Sequence, residues 1–347
     1  MKTKIKWGVI GSGGIAQRRT IPEGILPTKN AELIAIYSRN KKTNAETAKQ
    51  FGANAANSID DLLALNLDAV YIASPNHAHL KQVCQAAAAG KHVFCEKPLG
   101  MNVAEAKRMV RVCQNAKVQL GTAFMMRYHS QHQAALRMIQ EGRIGRPVYA
   151  RAQLSCWYPP IPGAWRQIPK LGGGALMDLA GHCLDLLEMF FGPVTAVSCI
   201  INRTVHRYAA EDSGAVLARF KNGAMATVDT CFCIPDNSSQ NRLELYGSGG
   251  SILAQGTIGQ GDAGEMVAFL EDGKAYDAKQ RRTAGGGLVI APKPMNTYRA
   301  EIEAFSQALL DGRTTRKSAL AGLRSQVILA ACYQSAKTRR EVRIPGL

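Results

Sequence analysis

A chain of 347 residues has room for about two domains, and its 46% hydrophobic content excludes a disordered polymer. No apolar run reaches the roughly 18 residues that a membrane-crossing helix requires, and the basic start Met1-Lys2-Thr3-Lys4 leads into a strand pattern rather than a signal-peptide core, so a cytoplasmic location is expected. The net charge of +17 is spread over pairs such as Arg18-Arg19, Lys41-Lys42, Arg281-Arg282 and Arg339-Arg340 with few aromatics between them, which argues against nucleic acid and for attraction of a phosphorylated cofactor or acidic ligand.

The first third alternates short apolar strands with helices. Residues 5–10 form a buried-strand run that enters Gly11-Ser12-Gly13-Gly14-Ile15-Ala16 at once. A second strand covers 33–37. Helices are predicted near 44–51 and 59–65, the latter capped by Ser58. A strand at 69–73 stops at Ser74-Pro75-Asn76, and an alanine-rich helix over 79–89 ends at Gly90. The strand 92–95 runs into Glu96-Lys97-Pro98, followed by a helix over 103–116 and a strand over 118–123. Apolar strands separated by helices predict a doubly wound parallel sheet, here a Rossmann domain over residues 1–124.

Residues 125–347 read as a second, α+β domain. A helix is predicted at 130–141 and a strand at 148–156, then a proline-rich loop at 158–169 and an apolar helix at 175–191. Strand-like segments at 196–202, 213–220, 225–232 and 243–246 predict a large open antiparallel or mixed sheet. Helices at 297–310 and 319–337 close the chain. The nine cysteines, with only Cys231 and Cys233 adjacent, read as reduced apolar thiols rather than a metal or redox motif.

Three segments carry chemistry. In Gly11-x-Gly13-x-x-Ala16 the first glycine permits a tight turn, the second admits a pyrophosphate, and the small Ala16 allows close helix packing. The helix that follows offers N–H groups to the anion. After the second strand stands Ser38-Arg39 rather than an acid, which leans toward a 2′-phosphate and NADP, although arginine also stacks on the adenine of NAD. Glu96-Lys97-Pro98 ends a parallel strand, on the edge where such sheets bind ligands, and a lysine partly desolvated there can share a substrate proton. Finally, Asp178, His182 and Asp185 fall at i, i+4 and i+7 on one face of an otherwise apolar helix. That polar stripe must face a cleft, another polar group or a metal; no further His/Cys cluster completes a metal site.

The order and spacing of these segments resemble the Gfo/Idh/MocA family of oxidoreductases (glucose-fructose oxidoreductase, inositol dehydrogenase and relatives) over essentially the whole chain. The matches are the early glycine loop, Ser74-Pro75-Asn76 with His79, Glu96-Lys97-Pro98, Trp165-Arg166, and Gly172-Gly173-Gly174 before Asp178, His182 and Asp185. The resemblance implies that Lys97, Asp178 and His182 are catalytic. NAD(P) is expected against Gly11, Ser12, Gly13, Gly14, Ile15 and Ala16, and against Ser38, Arg39, Ser74, Asn76, His79, Glu96 and Lys97. The substrate, a sugar, glycoside or cyclitol, is expected against Arg127, Tyr158, Trp165, Arg166, Asp178 and His182. The resemblance also implies a homodimer or homotetramer, with neither nucleic acid nor membrane as partner. Two other activities share such a site: glycoside cleavage through transient C3 oxidation with recycled NAD, and regulation by an NAD(P)-binding protein without turnover.

Overall fold

The computed structural model describes residues 2–271, 278 and 286–346 of the protein, so the Arg281-Arg282 pair lies outside the described residues. Within them the chain builds two sheets. The first contains β1 (Ile5–Ile10), β2 (Ala31–Tyr37), β3 (Asn54–Ala55), β4 (Ala69–Ile72), β5 (His92–Glu96) and β6 (Leu120–Ala123), in the order β3-β2-β1-β4-β5-β6 with every neighbouring pair parallel. Its helices begin on polar caps: Asn40 for α1 (Lys41–Phe51), Ser58 for α2 (Ile59–Ala64) and Asn102 for α4 (Val103–Asn115), while α3 (His79–Ala88) follows a short turn from Asn76. The central strands are buried on both faces, which is why β4 reads as an unbroken apolar run.

The glycine loop leads into a helix of wider, π-type winding, Ala16–Ile25, rather than a regular α-helix. Pro22 stands inside it without an N–H to donate, and Leu26 N–H reaches back to the Ile21 carbonyl. This helix covers one face of the first sheet together with α7 (Thr297–Leu310), which comes from the other end of the chain; Trp7, Tyr71, Phe94, Ile302 and Phe305 pack there. A sequence boundary at residue 124 therefore separates the sheet from one of its own covering helices.

The second sheet has the order β14-β13-β12-β11-β7-β10-β9-β8-β15. Its strands are β7 (Pro147–Ser155), β8 (Val194–Asn202), β9 (Ser213–Phe220), β10 (Met225–Cys231), β11 (Arg242–Gly247), β12 (Gly250–Gln255), β13 (Glu265–Leu270), β14 (Leu288–Val289) and β15 (Val342–Arg343). Only β7 and β10 pair in parallel, so the sheet is mixed. β12 and β13 extend it beyond the strands the sequence pattern marks. Burial alternates strictly along β9, the signature of a sheet with one covered face. The inner face packs on α5 (Ser130–Gln140), α6 (Gly181–Phe191) and α8 (Arg316–Thr338); the outer face leaves Ile200, Leu217 and Met225 exposed.

The 23-residue α8 spans about 35 Å and ties the sheets together. At its start the Ser318 hydroxyl accepts the Thr122 N–H of β6, and near its end Ser335 accepts the Cys199 N–H of β8. No helix among the described residues is long and apolar enough to cross a membrane.

Candidate active site

A cavity of about 640 Å³ opens between the carboxyl edge of the first sheet and the start of α6. Its nucleotide side follows from strand register. Ile10 lies opposite Tyr37 on one flank and Ile72 on the other, so the loops after β1, β2 and β4 emerge together. Gly11, Gly13, Gly14 and Ile15 line the cavity beside Ser38, Arg39, Ser74 and Asn76. Gly11 has φ +90, and a Cβ there would meet the Ser74 nitrogen at 2.6 Å; by contrast, nothing lies within 4 Å of a Cβ built on Gly13 or Gly14. The loop thus closes against Ser74 and leaves its other side open, with the Ser12 hydroxyl buried and without a partner. These features fit a dinucleotide: bare backbone for the pyrophosphate, and cations Arg18 and Arg39 on the same wall.

Three expected cofactor residues do not line the cavity. Ser12 and Ala16 are buried in the turn itself. The His79 ring lies between the Ser74 carbonyl at 2.8 Å and the Pro98 carbonyl at 3.1 Å, so it staples two cavity loops together. Burial holds its pKa below the ordinary histidine value.

The reacting end is built around one carboxylate. Lys97 Nζ, at the end of β5, donates to Asp178 Oδ1 and to the Asp178 carbonyl, each at 2.8 Å, and Arg166 Nε donates to Oδ2 at 2.8 Å. Burial alone would raise the Asp178 pKa, but Arg166 and Lys97 outweigh it and hold the carboxyl well below the usual range. Asp178 sits in a π-type turn, Leu176–Ala180, that opens α6. Glu211 anchors that turn: its backbone carbonyl accepts the Ala175 N–H, and its carboxylate accepts from Leu176 N–H and the Tyr333 hydroxyl. Gly174 must be glycine here, at φ +125 with a Cβ position only 2.0 Å from the Glu211 carboxylate. His182 follows on α6, edge-on to Phe124 at 6.0 Å, and its Nδ1 has no partner among the described residues. Burial, and secondarily the Lys97 cation, keep its pKa well below 6.5, so the imidazole is neutral.

The expected polar stripe divides. Asp178 and His182 line the cavity, whereas Asp185 receives two 2.7 Å bonds from Arg127. Arg127, expected at the substrate, is thereby committed to a helix carboxylate and does not line the cavity. Trp165 and Arg166 do line it, the guanidinium 4.4 Å from the Trp165 ring. Tyr158 stands behind them, its ring 5.8 Å from the Arg166 guanidinium and packed at a tilt against Phe232 rather than lining the cavity. Glu96 lines the wall next to Lys97; Tyr71 donates to it, and burial raises its pKa.

Arg18, read in the sequence only as one of several basic pairs, also lines the cavity, as do Asp236, Asn241, Tyr298 and Glu301, which the sequence did not single out. Arg18 follows the glycine loop by two residues, a signal that could have been read. The others come from distant irregular or helical segments with no motif around them.

Residues 5–124 match the description "Oxidoreductase family, NAD-binding Rossmann fold" and residues 132–253 match "GFO/IDH/MocA C-terminal domain". The chain is 30% identical over 309 residues to 1,5-anhydro-D-fructose reductase of Ensifer adhaerens, covering 88% of each. It is 29% identical to D-xylose 1-dehydrogenase (NADP(+)) 2 of Haloferax volcanii, over 97% of this chain and 99% of that one. The crystal structure of aldose-aldose oxidoreductase from Caulobacter crescentus, complexed with glycerol, superposes with a TM-score of 0.87 at 24% identity, covering 98% of this chain and 100% of the other. The chain belongs to the Gfo/Idh/MocA family of oxidoreductases, with an NAD-binding Rossmann fold.

Proposed function

We propose that the protein is an NAD(P)-dependent dehydrogenase or reductase that acts on a hydroxyl-bearing carbon of a sugar, glycoside or cyclitol. The observation that supports this reading is the convergence of Lys97, Asp178 and His182 on the cavity that the glycine loop also lines. Relatives named for reactions on anhydrofructose and xylose point to the same substrate class. When bound, NAD(P) supplies the hydride acceptor, or the donor in the reverse direction. Gly11, Gly13 and Gly14 hold its pyrophosphate, while Ser38, Ser74, Asn76 and Glu96 lie along the same wall.

The residues divide the proton chemistry. A lysine ammonium has three N–H donors. Two of those on Lys97 are spent on Asp178, which leaves one for the reacting oxygen. His182 is neutral and accepts the hydroxyl proton in the oxidative direction. Asp178 stays ionised between two cations, so it positions Lys97 and Arg166 rather than carrying a proton. The buried setting excludes water from the reacting carbon and keeps these groups oriented before substrate arrives.

The cofactor is assigned as NADP. Arg18 and Arg39 share the wall with Ser38, and no acid follows β2 to accept from a ribose 2′-hydroxyl. Copies of the chain are assigned to meet through the outer face of the second sheet, where Ile200 is 74% exposed and Leu217 and Met225 lie on adjacent strands.

Four outcomes follow. Lys97→Ala lowers kcat/KM by about a hundredfold or more while NADPH still binds, by calorimetry; wild-type turnover would remove Lys97 from the mechanism. In an NMR titration the His182 ring stays neutral as pH falls through 6.5, because both of its main influences disfavour imidazolium, and its pKa rises in Lys97→Met; a His182 already protonated at pH 7 contradicts the base assignment. Arg39→Ala weakens NADPH binding by about tenfold and leaves NADH nearly unaffected; equal losses would mean the arginine stacks on adenine and reads no phosphate. Ile200→Asp reduces the assembly to monomers in light scattering with the fold intact, whereas an unchanged mass moves the contact elsewhere.

A further inference from the structure

The substrate end of the cavity holds two polar side chains that the mechanism does not use, Asp236 and Asn241, both from the connection between β10 and β11. Each has one end committed to the protein. Asp236 Oδ1 accepts the Trp157 N–H at 3.1 Å. Asn241 Oδ1 accepts the Ser155 N–H at 2.9 Å and the Ser239 hydroxyl at 2.7 Å. Those bonds fix what remains. With Oδ1 spent, Asn241 presents its NH₂ as a donor, and Asp236 presents Oδ2 as an acceptor; among the described residues neither end has a hydrogen-bond partner. The Ser155 and Trp157 N–H groups that hold the pair flank Cys156, which lines the same cavity as Lys97, Arg166 and Asp178.

Charge at this end is balanced. Lys97 and Arg166 share the one Asp178 carboxylate, and the positive charge left over is offset by Asp236 at the mouth, so no unbalanced positive charge is offered to a phosphate or carboxylate on the substrate. A hydroxyl both donates and accepts. Two neighbouring hydroxyls match one fixed acceptor and one fixed donor, whereas an anionic substituent can accept from Asn241 but has no proton for Asp236 and is repelled by its charge.

Resting on the reading of this cavity as the oxidoreductase site, we propose that Asp236 and Asn241 form an acceptor–donor pair that recognises adjacent hydroxyls of an uncharged, polyhydroxylated substrate and selects against sugar phosphates and sugar acids. Neither residue takes part in hydride or proton transfer; both set which substrate is held in register for it.

Isosteric exchanges test this without disturbing the scaffold. Asp236→Asn keeps an oxygen for Trp157 N–H, and Asn241→Asp keeps one for Ser155 N–H while replacing the donor by a second acceptor. Asparagine at 241 has φ +43, a backbone that aspartate also tolerates. The purified full chain is assayed in both directions with NADP and NAD, against neutral aldoses and cyclitols (D-xylose, D-glucose, myo-inositol and their keto forms) and against glucose 6-phosphate and glucuronate. The expected result is turnover of a neutral probe in preference to the charged ones. Each variant then raises KM for that probe about tenfold or more, with kcat little changed and NADPH affinity retained. An unchanged KM in both variants, a preference for a charged probe, or a parallel loss of NADPH affinity overturns the assignment. If NADPH binds but the wild-type protein turns over none of the probes, the oxidoreductase reading fails, and the role of the pair fails with it.

Discussion

The Asp178 carboxylate is the point on which the two halves of the molecule close. It receives Lys97 from the first sheet and Arg166 from the loop before its own helix; Asp178 and Lys97 are largely withdrawn from water, while Arg166 is half-buried. Two cations around one carboxylate leave the cluster with net positive charge in a low-dielectric setting. Removing the carboxylate would strand both cations, a change that costs about 3–5 kcal/mol where a buried pair is broken. The same pairing fixes the Lys97 ammonium by two bonds, so its position relative to the glycine loop does not depend on substrate. Stability and preorganisation are here one interaction.

That arrangement needs the two sheets to hold a constant relation, and α8 provides it. Its first turn is bonded to β6 and its last turns to β8, so it acts as a strut across the base of the cavity. Asn76 makes a second tie nearer the site by donating to the Gly172 carbonyl at 3.2 Å. The glycine run 172–174 can follow this path because it lacks side chains: Arg166 backbone, the Asn76 amide and the Glu211 carboxylate occupy the space where Cβ atoms would stand. Charge is also divided along the cavity. The basic excess of the chain reaches the nucleotide end as Arg18 and Arg39, while the two cations Lys97 and Arg166 are offset by Asp178 and Asp236.

Local chemistry made much of this legible in the sequence. The glycine loop, Ser38-Arg39 and Glu96-Lys97-Pro98 each end a strand, and parallel register carries strand ends to one edge without further information. Asp178 and His182 were visible because a polar pair in an apolar helix has to be explained by a partner or a cleft. Asp185 obeyed the same logic but found its partner in Arg127, 58 residues away, which periodicity cannot reveal. Likewise α7 covers the first sheet although it lies about 170 residues beyond β6 in the chain; its apolar face marks it as packed, not what it packs against. Tyr158 was read as a substrate wall from its aromatic character, yet its ring packs at a tilt against Phe232 and lies near Arg166 rather than lining the cavity.

The residues that escaped the sequence reading share a physical reason. The proposed reaction uses a lysine, a carboxylate and an imidazole at set positions, and these are carried on a strand end and a helix whose hydrogen bonding restricts change. Recognition of the remaining hydroxyls requires only a donor and an acceptor at suitable distance, which many residue types and backbones can supply. In this chain they come from the β10–β11 connection, where Asp236 and Asn241 are held by backbone N–H groups of residues 155 and 157, at the end of the neighbouring strand β7. Because β7 and β10 are parallel, their carboxyl ends adjoin, and the connection after β10 is carried directly over the cavity. A specificity loop placed this way can be exchanged without moving Lys97, Asp178 or His182, since its bonds run to β7 and none to the ion cluster. On the proposed reading the fold separates the reaction from the choice of substrate: charge pairing fixes the first, and the irregular connection after a parallel strand supplies the second.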